Sequence, residues 1–275
     1  MFCIQETLKT CDFIKYYNLF CYSTHLTHTE EEINKFFNDL KDYSVIILQP
    51  HYSDALYTID NIVTHTNNEC KIIILSVAYF NFYYPNLTYK EDKDNKIFEL
   101  PSHYHDKLLI KLYDKNTENI EDVFLKNIND ENFFEKTYLE DLANTSIKEL
   151  ENRENVFINA PYICERDYRY ITLSTFIKNN YKKQLLFYSM NHPSYYLFEY
   201  ICNEILTILN LQDLHNTFEK IDLLYQNDRG ILYKSIQQCV NFNINDYTPS
   251  INKSSNINEI INMYLTEYKK YDKTI

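Results

Sequence analysis

A chain of 275 residues that is 45% hydrophobic can bury a sizeable core, and its net charge of −12 argues against a phosphate-backbone or anionic-lipid partner. Glycine occurs once, at Gly230, which excludes the Gly-x-Gly-x-x-Gly turn, the phosphate-binding loop and the glycine-centred nucleophile elbow. Seven scattered cysteines with no Cys-x-x-Cys pair predict neither a zinc site nor a disulfide framework, and no metal is expected.

The amino-terminal pattern is compatible with a helix from Glu6 to about Asn18, then a short strand over Leu19 to Tyr22. Thr29 followed by three glutamates reads as a helix start, because acids in a first turn are favoured by the helix dipole. That helix runs through Ile33, Phe36, Phe37 and Leu40. Ser44–Leu48 is a β-branched apolar run ending at Gln49-Pro50, a buried strand by its continuity. A helix from Ala55 to Thr64 and a second buried strand, Lys71–Leu75, complete a βαβ pattern, the signature of a parallel sheet. An aromatic loop, Ala78 to Tyr89, follows and contains Tyr84-Pro85.

From Ser102 to about Leu150 the periodicity is helical and the surface acidic, with Glu121, Asp122, Asp130, Glu131, Glu140, Asp141 and Glu149 expected to face solvent. His103-Tyr-His105-Asp106 reads as a surface loop rather than a metal site. Tyr170 to Lys178 reads as a helix and Leu185–Tyr188 as a further strand. Asn191-His192-Pro193 then leads into a helix carrying Tyr196, Leu197, Tyr200, Ile201, Ile205 and Leu206, since proline suits a first helical turn. Past Asn210 the chain is helical with polar breaks, and a last helix spans Ile257 to Tyr268. With one glycine available, positions with φ > 0 fall to the plentiful asparagines. The 27 tyrosines fit a genome-wide bias and are not read as stacking platforms.

Three predicted strand ends therefore carry polar residues: Gln49 with His51 and Asp54, Tyr84 with its proline, and Asn191 with His192. In a parallel sheet such loops meet at the carboxyl edge, where α/β proteins bind ligands. Histidine is suited to proton transfer near neutral pH, and the alternative for His192 is a ring packed beside a tight turn. Cys3 and Gln5 precede the first predicted helix, where a thiolate gains from the helix dipole.

The order strand–Gln49-Pro-x-x-x-Asp54, aromatic loop with Tyr84-Pro85, then Phe187-x-x-x-Asn191-His192-Pro193 opening a helix resembles the capsular polysaccharide biosynthesis acyltransferases of the WcbI type. Leu150, Arg153 and Glu154 fit that family's Leu-x-x-Arg-Glu pattern, and the resemblance runs from about residue 1 to 210. The departure is at the start, where Met1-Phe-Cys3-Ile-Gln5 stands in place of a strand leading into Gly-Asn-Cys-Gln.

The resemblance implies an α/β fold with a parallel sheet, SGNH-hydrolase-like or flavodoxin-like, over residues 1–210. A helical insertion at about 102–150 and a helical extension over 211–275 complete the expected domain plan. It implies an acyl-coenzyme A-dependent O-acyltransferase acting on a sugar or glycan precursor, with coenzyme A or acetyl-coenzyme A as co-substrate. His192 is then the general base, with Gln49 and Cys3 at the reacting carbonyl. Asn191, Gln5, His51, Asp54, Tyr84 and Arg153 serve as binding residues, with Arg166 also available to coenzyme A phosphates. No nucleic acid partner is expected. The absence of an apolar run of 18 residues, or of a basic segment leading into an apolar one, predicts a cytoplasmic protein with no membrane span. Two rival readings stay open: a catalytically degenerate glycan- or nucleotide-binding protein of the same fold, and an SGNH-like esterase.

Overall fold

A computed structural model describes residues 2–22, 28–49, 55–89, 101–162, 166–219, 224 and 229–272, with side chains described from residue 4 on except at 55, 271 and 272. The strands are β1 (Val45–Leu48), β2 (Lys71–Leu75), β3 (Leu87–Thr88), β4 (His105–Asp106) and β5 (Tyr168–Ile171). The helices are α1 (Phe2–Lys9), α2 (Glu30–Asp39), α3 (Ile59–Thr64), α4 (Lys107–Asp114) and α5 (Ile120–Ile128). They continue with α6 (Lys136–Ile158), α7 (Ser174–Asn180), α8 (Tyr195–Ile208) and α9 (Ile257–Asp272). The chain forms two compact units from interleaved stretches. The first holds 1–78, 149–176 and 198–221, and the second holds 79–148, 177–197 and 222–275.

The first unit contains a parallel sheet in the order β1-β2-β5. Leu48 lies opposite Ile74 and Leu75 opposite Ile171, so Gln49, Ser76 and Thr172 leave the sheet at one carboxyl edge. Alternate residues of the strands face a core in which Ile46, Ile72 and Ile74 pack with Leu40, Ile62, Val63, Cys70 and Phe157. Helix α2 begins as a capping box, with Thr29 Oγ1 accepting from Glu32 N and Glu32 Oε2 accepting from Thr29 N. The α/β class, both first strands and the acid-rich start of α2 match the sequence expectation.

Three segments differ from the sequence expectation. Tyr168–Ile171 is the third strand, not the start of a helix. In Tyr-Arg-Tyr-Ile the two tyrosines are half-buried, Arg169 between them is exposed and Ile171 is buried, and aromatic and β-branched residues favour a strand. Leu185–Tyr188 is not a strand of the described sheet. Its backbone closes a turn instead: Tyr188 N donates to His192 O at 2.8 Å, Ser194 N donates to Leu186 O at 2.8 Å, and Phe187 bridges Pro193. The short Leu19–Tyr22 segment also forms no strand.

The second unit has a small antiparallel ladder, β3 with β4, among helices. Its core is aromatic. Phe80 meets Tyr83, Tyr181 and Phe187 at ring separations of 5.5, 5.4 and 6.0 Å, and Tyr83 donates to the carbonyls of Tyr181 and Gln184. Helices α4, α5 and the first part of α6 carry the acidic surface. Asp122, Asp130, Glu131 and Asp141 are exposed, and Glu131 and Glu140 pair with Lys234 and Lys182. Five of the six described positive-φ positions are asparagines, the sixth being Lys253. The single glycine is required by packing. A Cβ on Gly230 would sit 2.7 Å from Tyr84 Cδ1, closer than atoms approach without displacement.

Candidate functional site

In the second unit, Ser189–Ser194 forms the entrance to α8. Ser194 Oγ donates to Leu185 O at 2.7 Å, which ties the first helical residues back to the incoming segment. Asn191 is exposed at the tip of this turn and His192 is half-buried beside it. Two hydroxyls hold the Asn191 amide oxygen: Tyr104 donates to Oδ1 at 2.6 Å and Ser189 at 3.3 Å. The Tyr104 ring meets the His192 imidazole edge-to-face, with centroids 5.8 Å apart. Burial, with Tyr89 alongside, pushes the Tyr104 phenol up to about 12, while its bonds to Asn191 and Ser189 pull the other way. At neutral pH Tyr104 is therefore a donor.

Next to this turn lies a buried polar cluster. A small cavity of about 20 Å³, room for roughly one water, is lined by residues that include Tyr104, Ser189, Asn86, Asp106 and Tyr84. Asp106 caps α4 by accepting from Leu108 N and Leu109 N, and Tyr233 donates to its carboxyl at 3.0 Å. Burial pushes this carboxyl up to about 7 against those hydrogen bonds. His105 is fully buried, with Nδ1 2.9 Å from the Tyr268 hydroxyl. The expected surface loop at His103–Asp106 is corrected here. Only His103 is exposed, because β4 pairs with β3 and draws His105 and Asp106 inside. No group of three or more metal-ligating side chains occurs among the described residues.

In the first unit, a cavity of about 750 Å³ runs beside the edge strand β1. Gln5 and Gln49 both line it, together with Asn18, Phe20, Tyr22 and Tyr43. Gln5 Nε2 donates to Leu19 O at 3.1 Å, and Leu19 lines the same cavity. No lysine or arginine lines this cavity among the described residues.

A family model described as polysaccharide biosynthesis enzyme WcbI matches residues 3–214. The chain belongs to the WcbI family. A solved structure described as WcbI, a novel polysaccharide biosynthesis enzyme, is similar with a TM-score of 0.78. It is 17% identical over 98% of this chain and 86% of that one, so the likeness is one of fold. That structure is described as the native protein without a disulfide bond between coenzyme A and a cysteine. No curated protein matches the chain.

The residues that the family motifs single out have different fates here. Asn191 and His192 share one turn, and Gln5 and Gln49 share one cavity. Tyr84 is 2% exposed, its hydroxyl donating to Phe187 O and meeting Tyr247, so it is built into the core. Glu154 of the Leu-x-x-Arg-Glu pattern is buried and accepts from Leu173 N at 2.6 Å, Ser174 N at 3.1 Å and the Ser174 hydroxyl. Arg153 is half-exposed on α6 and pairs with Glu149 one turn away. Arg166 donates to Asn67 O and Thr66 O, which ties it to the turn before β2. His51 and Asp54 lie outside the described residues. Cys3 falls within α1, and its side chain lies outside the described residues.

Tyr104 and Ser189 were not found by motif reading. The signal available in the sequence was slight: Ser189 stands two residues before Asn191, whereas Tyr104 reaches it from 87 residues away.

Proposed function

We propose that this chain transfers an acyl group from a coenzyme A thioester to a hydroxyl of a sugar or glycan precursor. The observation that carries this reading is the Asn191–His192 turn. With the Asn191 amide oxygen occupied by Tyr104 and Ser189, what the amide offers a ligand is its two N–H donors, beside an imidazole. A base next to amide donors suits hydroxyl activation together with stabilisation of a developing oxyanion.

In this reading His192 takes the proton of the sugar hydroxyl as its oxygen bonds to the thioester carbonyl carbon. The carbonyl oxygen gains charge and accepts hydrogen bonds from Asn191. The carbon–sulfur bond then breaks, and the coenzyme A thiolate receives the proton from His192. No oxidant or further reactant is needed.

The cavity beside β1 is within the size range of small-molecule sites, and its mostly aromatic and apolar lining includes one charged side chain, Asp42. A donor-side role for Gln49 and Cys3 rests on the family resemblance, and Gln5 lines the same cavity as Gln49. Arg153, half-exposed on α6 and paired with Glu149, is proposed to meet a phosphate of the donor.

Calorimetric titration with coenzyme A and acetyl-coenzyme A, followed by transfer assays with sugar acceptors, tests the proposal. Binding of acetyl-coenzyme A and its consumption only in the presence of a sugar are the expected results. Absence of binding would overturn the reading, and consumption without a sugar would replace it with hydrolysis.

A further inference from the structure

We infer that Tyr104 is a positioning residue for the Asn191–His192 pair, and that helix α9 holds it in place through Tyr264. The inference rests on the acyltransfer reading for its catalytic consequence, but its geometry stands apart from that reading.

Tyr104 touches the turn twice, through its hydroxyl on Asn191 Oδ1 at 2.6 Å and through its ring against His192. Tyr104 is itself held from behind. The Tyr264 hydroxyl donates to the Tyr104 backbone carbonyl at 2.6 Å. One helical turn further along α9, the Tyr268 hydroxyl lies 2.9 Å from Nδ1 of His105. Residues four apart share a helix face, so one stripe of α9 grips two successive residues of the 104–106 segment. Both tyrosines are buried, at 3% and 1% exposure, and their rings pack on His105 at 5.0 and 5.6 Å. On the far side, Asp106 anchors the same segment to α4 and to Tyr233.

The chain of contacts therefore runs from α9 through the 104–106 segment to the tip of the turn. Its anchor lies beyond residues 3–214, the stretch matched by the family model. A group held from three sides loses little entropy when it orients a neighbour, which is the physical basis of a supporting shell. Misplacement by about 1 Å can cost on the order of 10²-fold in rate.

The test uses Tyr104→Phe and Tyr264→Phe, which keep the rings and remove one donor each, with exposed Lys269→Gln as the control. The readouts are the nuclear magnetic resonance signals of the His192 imidazole, assigned with His192→Gln, and the kcat and KM for acetyl-coenzyme A with a sugar acceptor. Both phenylalanine variants should move the His192 signals while Lys269→Gln does not. Tyr104→Phe should lower kcat about 10-fold with KM for the donor within about 2-fold. Unchanged His192 signals in both variants, with only a lower melting temperature, would make the two tyrosines packing residues and overturn the inference. A response to Tyr104→Phe alone would overturn the role of α9. If the unmodified protein transfers no acyl group yet both variants move the His192 signals, the positioning stands and the acyltransfer reading fails.

Discussion

Two helix entrances in this molecule are built from opposite materials. The entrance to α7 is fixed by a buried carboxylate, with Glu154 collecting two backbone N–H groups and the Ser174 hydroxyl. Leu173 is fully buried there and Ser174 nearly so, leaving no route for a ligand. The entrance to α8 is fixed by neutral hydroxyls from Tyr104, Ser189 and Ser194, and its tip, Asn191, faces solvent. The first arrangement seals its polar groups and serves stability. The second occupies only the oxygen of an amide that stands exposed beside an imidazole. Residues that a family motif marks can thus belong to either kind, and burial and partners tell them apart: Glu154 is sealed in the interior, whereas Asn191 stands exposed with His192 beside it.

The sharpest way to break this contrast is at Glu154. Glu154→Ala orphans two backbone donors and a hydroxyl in the interior, so it should destabilise the protein by about 3 kcal/mol or more. Urea unfolding measures it; a loss below about 1 kcal/mol would mean that the α7 entrance is not held by this carboxylate.

Gly230→Ala comes next. The added methyl would press on the Tyr84 ring, whose hydroxyl bonds to Phe187 O just before the Asn191–His192 turn, and overpacking costs about 1–3 kcal/mol. A melting temperature unchanged from that of the unmodified protein would show that Tyr84 can yield, and that the turn's support is softer than described.

Ser194→Ala removes a single hydroxyl bond at the α8 entrance, and a loss of about 1 kcal/mol is expected. Measured beside Glu154→Ala, it gives the difference between the neutral and the charged entrance directly.

Asp106 sharpens the comparison through pH. Its carboxyl is raised from 3.8 to about 7 in the folded protein by burial. Between those values the folded state binds a proton that the unfolded state does not, so this group makes stability fall as pH rises through that window. Asp106→Asn should remove that part of the slope in unfolding experiments between about pH 4 and 7. An identical slope in the variant would show that Asp106 is ionised throughout, held so by Tyr233 and the two α4 amides.

The sequence was most legible where local chemistry decides structure. The β-branched runs at Ser44–Leu48 and Lys71–Leu75 are strands because continuous burial in a parallel sheet demands such residues, and Thr29 starts a helix because its own capping box satisfies the first amides. A four-residue apolar run does not distinguish a strand from a buried turn, so Leu185–Tyr188 misled, as did the helical spacing after Tyr170 that hid β5. The turn carrying Asn191 and His192 was readable from Pro193, but its supports were not. Tyr104, Tyr233, Tyr264 and Tyr268 make hydroxyl bonds to residues 87 to 163 positions away, and no local pattern announces such partners. The abundance that made tyrosine look like composition alone conceals the few whose hydroxyls build the polar interior.

The central claim is that His192 acts as a base on an acceptor hydroxyl, and the measurement that tests it most directly is acyl transfer from acetyl-coenzyme A by His192→Gln. Glutamine can hydrogen-bond but cannot take a proton at neutral pH. The account predicts a loss of about 10²- to 10⁴-fold in kcat, with acetyl-coenzyme A affinity by calorimetry within a few-fold and the melting temperature nearly unchanged. Full activity in His192→Gln would contradict it, and so would unfolding of that variant together with His192→Ala, which would make His192 a packing residue of the α8 entrance.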